Sequence, residues 1–371
     1  MKITRHGAAV GLVAASVLLL AACGSDTNKP STTAGASSPS NAPKVNCGGK
    51  NQLAGEGSSA QLNAITEIIN TYNSQCPGFN VAYQATGSGA GVKQFNANKV
   101  DFGGSDSALS GADVQAAATR CGGNPAWNLP VVFGPIGIAY NLPGLDGLVL
   151  NGEVAAKIFN GQIKNWNDPA IKALNGSLTL PDKNIVVLYR SDSSGTTDNF
   201  QRYLKAASKG AWTQGTGKDF AGHTGEGKQG SQGVSNAVKA TDASITYVEM
   251  SFVQSAKLQS AKLDSGSGPV ALTADTAGKA VGSATIKGQG NDLVLDLDAL
   301  YASNTPGAYP LVLGTYEIVC SKGYDAATAQ AVKAFLTVAA STGQDKLADI
   351  GYVPLPSDFR TKLLTAISAI S

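Results

Sequence analysis

The chain has 371 residues, with 28 basic and 26 acidic side chains, enough for one large unit or two lobes. The balance is near neutral and no Lys/Arg cluster is present, which excludes nucleic-acid binding through a basic patch. It does not exclude an anion ligand, since backbone dipoles and a single arginine can act locally. Residues 1–22 read as a secretory signal: Lys2 and Arg5 make a basic start, and Val10 to Leu20 form an apolar core too short for a comfortable membrane span. The core ends in Leu20-Ala21-Ala22-Cys23, which resembles a bacterial lipobox with Cys23 as the lipidated first mature residue. Removing Lys2 and Arg5 leaves 26 basic against 26 acidic residues, so the mature chain is formally neutral. Residues 23–46 are rich in Ser, Thr, Ala and Pro, carry too little apolar bulk to fold, and read as a flexible tether.

Past the tether, strand and helix patterns alternate. After Leu53 and Ala54, Ser59–Gln75 carries Leu62, Ile65, Ile68, Ile69 and Tyr72 on one helical face. Phe79–Ala85 reads as a strand, Gly91–Asn98 as a short helix, and Asp101–Gly104 as a short strand and turn. Ser110 is placed to cap an alanine-rich helix that stops at Gly122. Val131–Asn141 is a long apolar run broken by Gly134-Pro135, suited to crossing between lobes. A helix follows from Asn151 to Asn160, then a strand at Ile185–Tyr189 and a helix around Asp198–Leu204. Gly210–Gln229 reads as a loop, Val234–Ala240 as a helix, Ser244–Phe252 as a strand, and Val294–Leu300 and Leu311–Val319 as extended segments. Asp325–Ala340 and Phe359–Ile370 read as helices, and no fixed-period repeat emerges. This rhythm argues for an α/β fold with mostly parallel pairing.

With Cys23 set aside, Cys47, Cys76, Cys121 and Cys320 remain, an even count suited to two disulfides in an exported chain. Three pairings are open. Cys47–Cys76 is favoured if the strands that follow them run parallel as neighbours, leaving Cys121–Cys320 by default. The cysteine spacings do not fit a zinc site. The mature chain has one histidine, His223, which removes most metal and Ser-His-Asp chemistry.

Three strand-to-helix turns are rich in Gly and Ser: Gly55-Glu56-Gly57-Ser58-Ser59-Ala60, Thr86-Gly87-Ser88-Gly89-Ala90-Gly91, and Arg190-Ser191-Asp192-Ser193-Ser194-Gly195-Thr196-Thr197. The second is neither a dinucleotide fingerprint nor a P-loop. Each alone fits ordinary capping. Converging with Asp101-Phe102-Gly103-Gly104-Ser105-Asp106, they would make a dry cage of N–H and O–H donors around one oxyanion. Ser194 or Ser88 could also be read as the nucleophile of a phosphohydrolase, but neither has an evident base, as His223 sits in a loop-like context.

The runs Gly87–Val92, Asp101–Asp106 and Arg190–Thr196, together with Ile158–Ile163, Trp166 and Gly351–Leu355, resemble the phosphate-binding protein of the phosphate-specific ABC transporter, in its mycobacterial lipoprotein form. The resemblance spans the body in order. It implies a type II periplasmic-binding-protein fold with lobes at 47–138 plus 302–371 and at 139–301, joined by crossovers with the ligand between them. It implies inorganic phosphate held by Ser58, Ser59, Ala60, Ser88, Asp106, Arg190, Ser194, Gly195 and Thr196, with Asp192 orienting Arg190. It further implies no cofactor or metal, no catalysis, a monomer anchored by lipid at the outer face of the cytoplasmic membrane, and permease subunits as partners. Many members carry a larger apolar residue where Ala60 stands. Asp106 is the odd member of an anion cage: it accepts the proton phosphate keeps near neutral pH and repels a fully ionised oxyanion such as sulfate. A receptor for another oxyanion is the alternative.

Overall fold

The computed structural model describes residues 43–371; the expected signal, Cys23 and most of the tether lie outside the described residues. β1 (Gln52–Gly57) feeds α1 (Leu62–Gln75), which buries Ala64, Ile65, Ile68 and Tyr72. α1 starts three residues after the expected Ser59, because Ser59–Gln61 are spent on the turn that leaves β1. β2 (Asn80–Gln84) leads to α2 (Ser88–Asn96), so Ser88 already stands in the helix expected from Gly91. β3 (Phe102–Ser105) is followed by α3 (Ala112–Arg120). Ser110 does not cap α3 with its side chain; Gly111, at φ 56°, takes the N-cap position, and Ser110 offers only its carbonyl, to Asp113 N–H.

The apolar run through Gly134-Pro135 is one long strand, β4 (Ala126–Asn141). Next come β5 (Val149–Leu150), α4 (Gly152–Phe159), capped by Asn151, and α5 (Pro169–Leu174), capped by Asp168. β6 (Val186–Arg190) runs into α6 (Gly195–Ala207), and β7 (Glu226–Lys228) into α7 (Gly230–Ala240). β8 (Ser244–Glu249) turns directly into α8 (Met250–Ala256). The strand expected to reach Phe252 therefore ends at Glu249: both elements are buried nearly all round, and a continuous apolar run carries no period to separate them. The short strands β9 (Gln259–Ser260), β10 (Lys262–Asp264) and β11 (Pro269–Val270) precede α9 (Ala274–Val281) and β12 (Thr285–Ile286). The extended segment expected at Val294–Leu300 divides into β13 (Leu295–Asp296) and α10 (Asp298–Tyr301). β14 (Val312–Cys320), α11 (Ala326–Ala339), capped by Asp325, and α12 (Ser357–Ser368) complete the chain.

The main sheet runs β2-β1-β3-β14-β4-β8-β6-β7, with β9 also on β4. Pairing is parallel at the two ends, β2-β1-β3 and β8-β6-β7, and antiparallel in the middle. β4 holds the two ends together: residues 126–135 pair with β14, residues 136–141 with β8. A register shift at Thr315/Tyr316 leaves Val131 as an extra residue beside Pro130, a bulge where proline cannot donate to a ladder. Disulfides join Cys47 to Cys76 and Cys121 to Cys320, each with Cα atoms 5.4 Å apart. The first ties the approaches to β1 and β2, which are parallel neighbours.

Candidate functional site

In an open α/β sheet, the carboxyl ends of parallel strands face helix starts, and ligands gather there. β1, β3 and β6 end at Gly57, Ser105 and Arg190, and α2 and α6 start at Ser88 and Gly195. Ser58, Ser59, Ala60, Ser88, Asp106, Arg190, Ser194, Gly195 and Thr196 all become buried. Two stretches of sequence 93 to 107 residues apart meet here: Gly195 N–H donates to Ser88 Oγ at 3.1 Å, Gly89 N–H to Ser193 O at 2.9 Å, and Asn199 Nδ2 to Asp106 O at 2.7 Å.

Asp106 is the centre of one half. Its Oδ1 accepts from Ser58 Oγ (2.6 Å) and Thr315 Oγ1 (2.7 Å), and its Oδ2 from Ser88 Oγ (3.1 Å). Burial pushes the carboxyl from 3.8 up to about 6; the Ser58 and Thr315 hydroxyls and the Arg190 charge oppose the rise, and Glu249 adds to it. Near neutral pH it is therefore a carboxylate, surrounded by hydroxyls and amides. The Ser88 hydroxyl also accepts from the Asp106 amide at 3.1 Å. Ala60 contributes backbone only: its N–H donates to Ser58 Oγ and its carbonyl accepts from Tyr352 Oη.

Arg190 is the centre of the other half. Its Nε and Nη2 engage both oxygens of Asp192, a fork-to-fork pair. Its Nη1 donates to Thr196 Oγ1 (3.3 Å) and Ser231 Oγ (3.0 Å). Burial works against the guanidinium charge, but the hydrogen bond and charge of Asp192 outweigh it and leave Arg190 above its ordinary value. Asp192 likewise falls below the usual carboxylate range: burial raises it, and Arg190 more than reverses that. Thr196 Oγ1 donates to Glu249 Oε1 at 2.6 Å. Ser194 acts as the N-cap of α6, its Oγ accepting from Thr197 N–H, while its own N–H donates to Lys218 O. His223 lies exposed on the loop before β7. Among the described residues no group of His, Cys, Asp and Glu has the arrangement to hold a metal.

Four residues join the site that the sequence reading missed: Thr315 and Glu317 on β14, Glu249 at the end of β8, and Ser231 in α7. The signal for three of them was a polar side chain inside a fully buried apolar strand. For Ser231 it was one more Gly-Ser pair opening a helix, hidden because the helix was placed from Val234.

The profile of the PBP superfamily domain matches residues 30–342. The chain is 53% identical to the phosphate-binding protein PstS 3 of Mycobacterium tuberculosis (strain ATCC 25618 / H37Rv) and 50% identical to PstS 2 of the same strain, each alignment covering 100% of both chains. Among solved structures, a high-affinity periplasmic phosphate-binding protein, PfluDING, bound with phosphate, superposes with a TM-score of 0.67 at 22% identity, over 85% of this chain and 93% of that one. This last likeness bears on the fold: two α/β lobes of the periplasmic-binding type.

Proposed function

The chain belongs to the PBP superfamily, in its family of phosphate-binding proteins, and we propose that it binds inorganic phosphate outside the cytoplasm and hands it to the permease of an ABC-type importer. It is a binding protein, not an enzyme. The lobes are 47–138 with 302–371 and 139–301. Ser58, Ser59, Ala60, Ser88 and Asp106 supply the first lobe's donors and its one acceptor, and Arg190, Ser194, Gly195 and Thr196 supply the second lobe's. Cys23 carries the lipid that keeps the protein at the membrane's outer face.

The observation that carries this reading is Asp106. A buried carboxylate ringed by hydroxyl donors suits a ligand that is an anion and still holds a proton. Phosphate near neutral pH donates that proton to Asp106; sulfate meets an unrelieved like charge, at a cost of several kcal/mol, or about a thousandfold in affinity. Titration calorimetry of ligand-stripped protein against phosphate and sulfate tests it. Wild type is expected to prefer phosphate by at least about a hundredfold, and Asp106→Asn to lose most of that preference. The preference is also expected to shrink below about pH 6, where Asp106 takes up a proton. Equal binding of both anions by wild type at pH 7.5 would end the reading.

A further inference from the structure

A fourth helix start reaches the site. α7 begins at Gly230, whose φ of 71° turns the chain so that its N–H donates to Asp192 Oδ1 at 2.8 Å. The next residue, Ser231, is fully buried and makes three polar contacts. Its N–H donates to Ser59 Oγ at 3.0 Å, its Oγ lies 3.1 Å from the same Ser59 hydroxyl, and its Oγ accepts from Arg190 Nη1 at 3.0 Å. Ser59 and Ser231 are 172 residues apart and come from opposite halves of the site.

We propose that Ser231 is a positioning residue and closure latch: it fastens the β1–α1 turn to α7 and fixes the last free edge of the Arg190 guanidinium at the same time. The inference rests on the phosphate-binding reading above. Asp192 already occupies Nε and Nη2 of Arg190, so Nη1 is the edge left to settle, and Thr196 and Ser231 settle it. The contacts to Ser59 exist only while the two halves are together. Their free energy therefore adds to the closed population and not to the stability of either half. The buried contacts between Ser59 and Ser231 are enough to change the closed-to-open ratio about tenfold.

The test is stopped-flow tryptophan fluorescence of the full chain with inorganic phosphate, following binding and dissociation separately, alongside melting of the ligand-free protein. Trp212 packs on Phe220, which stacks on Tyr189 beside Arg190, and so reports on this half of the site. Ser231→Ala is expected to raise the dissociation rate about tenfold and leave the association rate, the phosphate-over-sulfate preference and the ligand-free melting temperature unchanged. Combined with Ser59→Ala its effect is expected to be less than additive, because the two changes share the loss of the Ser59–Ser231 hydroxyl contact. Ser231→Gly, which like Ser231→Ala keeps the N–H and loses the hydroxyl, is expected to raise the dissociation rate to a similar extent. An unchanged dissociation rate in both variants overturns the proposal, as does a fully additive double mutant or a loss confined to the association rate. A wild-type protein that gives no response to phosphate overturns the functional reading itself, and the latch with it.

Discussion

At the scale of single residues, the site is unusual in how many buried carboxyls stand around one arginine. Asp106, Asp192 and Glu249 are each held by hydrogen bonds, whereas Glu317, 1% exposed, has no partner for either oxygen among the described residues. Burial pushes Glu317 from 4.5 up to about 8; Gln61 opposes the rise and the Asp106 charge adds to it. The folded chain thus keeps this proton up to about pH 8, while the unfolded chain releases it near 4.5. Between those values the folded state binds more protons, so stability falls as pH rises through the window. Asp106 acts with the same sign but is finished by about pH 6, which leaves pH 6 to 8 to Glu317. Glu317→Gln is expected to flatten the fall of the ligand-free melting temperature across that interval, where wild type loses about 2–3 kcal/mol. Thermal melts at half-unit steps of pH read this directly; parallel curves for the two proteins would refute it.

At the scale of elements, the start of α6 meets the other half of the site so closely that a Cβ on Gly195 would lie 2.6 Å from both Asp106 Cβ and Ser88 Oγ. Those neighbours belong to the opposite half, so the clash arises on closure and spares the fold of either half. Gly195→Ala is expected to weaken phosphate binding by about tenfold or more with the ligand-free melting temperature held, as calorimetry and melting together would show. The turn into α6 is legible in the sequence as one of three Gly/Ser helix starts, and so are the helices that open at Asn151 and Asp325. These signals are local: a turn and a helix start are specified by the residues that form them. What stayed hidden was non-local. Thr315 and Glu317 look like ordinary members of a strand until β14 is laid beside β3, and β8 merges into α8 because burial on all sides erases the alternation that marks a strand. α7 is legible in the sequence from Val234 on, but its first turn, which holds Ser231, is not.

At the scale of the whole molecule, the two disulfides differ in reach. Cys47–Cys76 closes a separation of 29 residues and Cys121–Cys320 one of 199. By loop entropy alone the short bridge restrains the unfolded chain by about 3–4 kcal/mol and the long one by about 5 kcal/mol. Replacing Cys121 and Cys320 by serine is therefore expected to lower the melting temperature further than replacing Cys47 and Cys76, and a reversed order would contradict that. The same long separation appears in the sheet. β14, spanning 312–320, fills the place between β3 and β4, which lie at 102–105 and 126–141. In order of synthesis the middle of the sheet is thus the last strand made, and until it arrives β3 and β4 have nothing between them to pair with. Folding waits on contacts of high sequence separation, which is slow. Until residues 312–320 exist the sheet stands as two separate parts, so the architecture itself defers closure of the fold to the final stretch of synthesis.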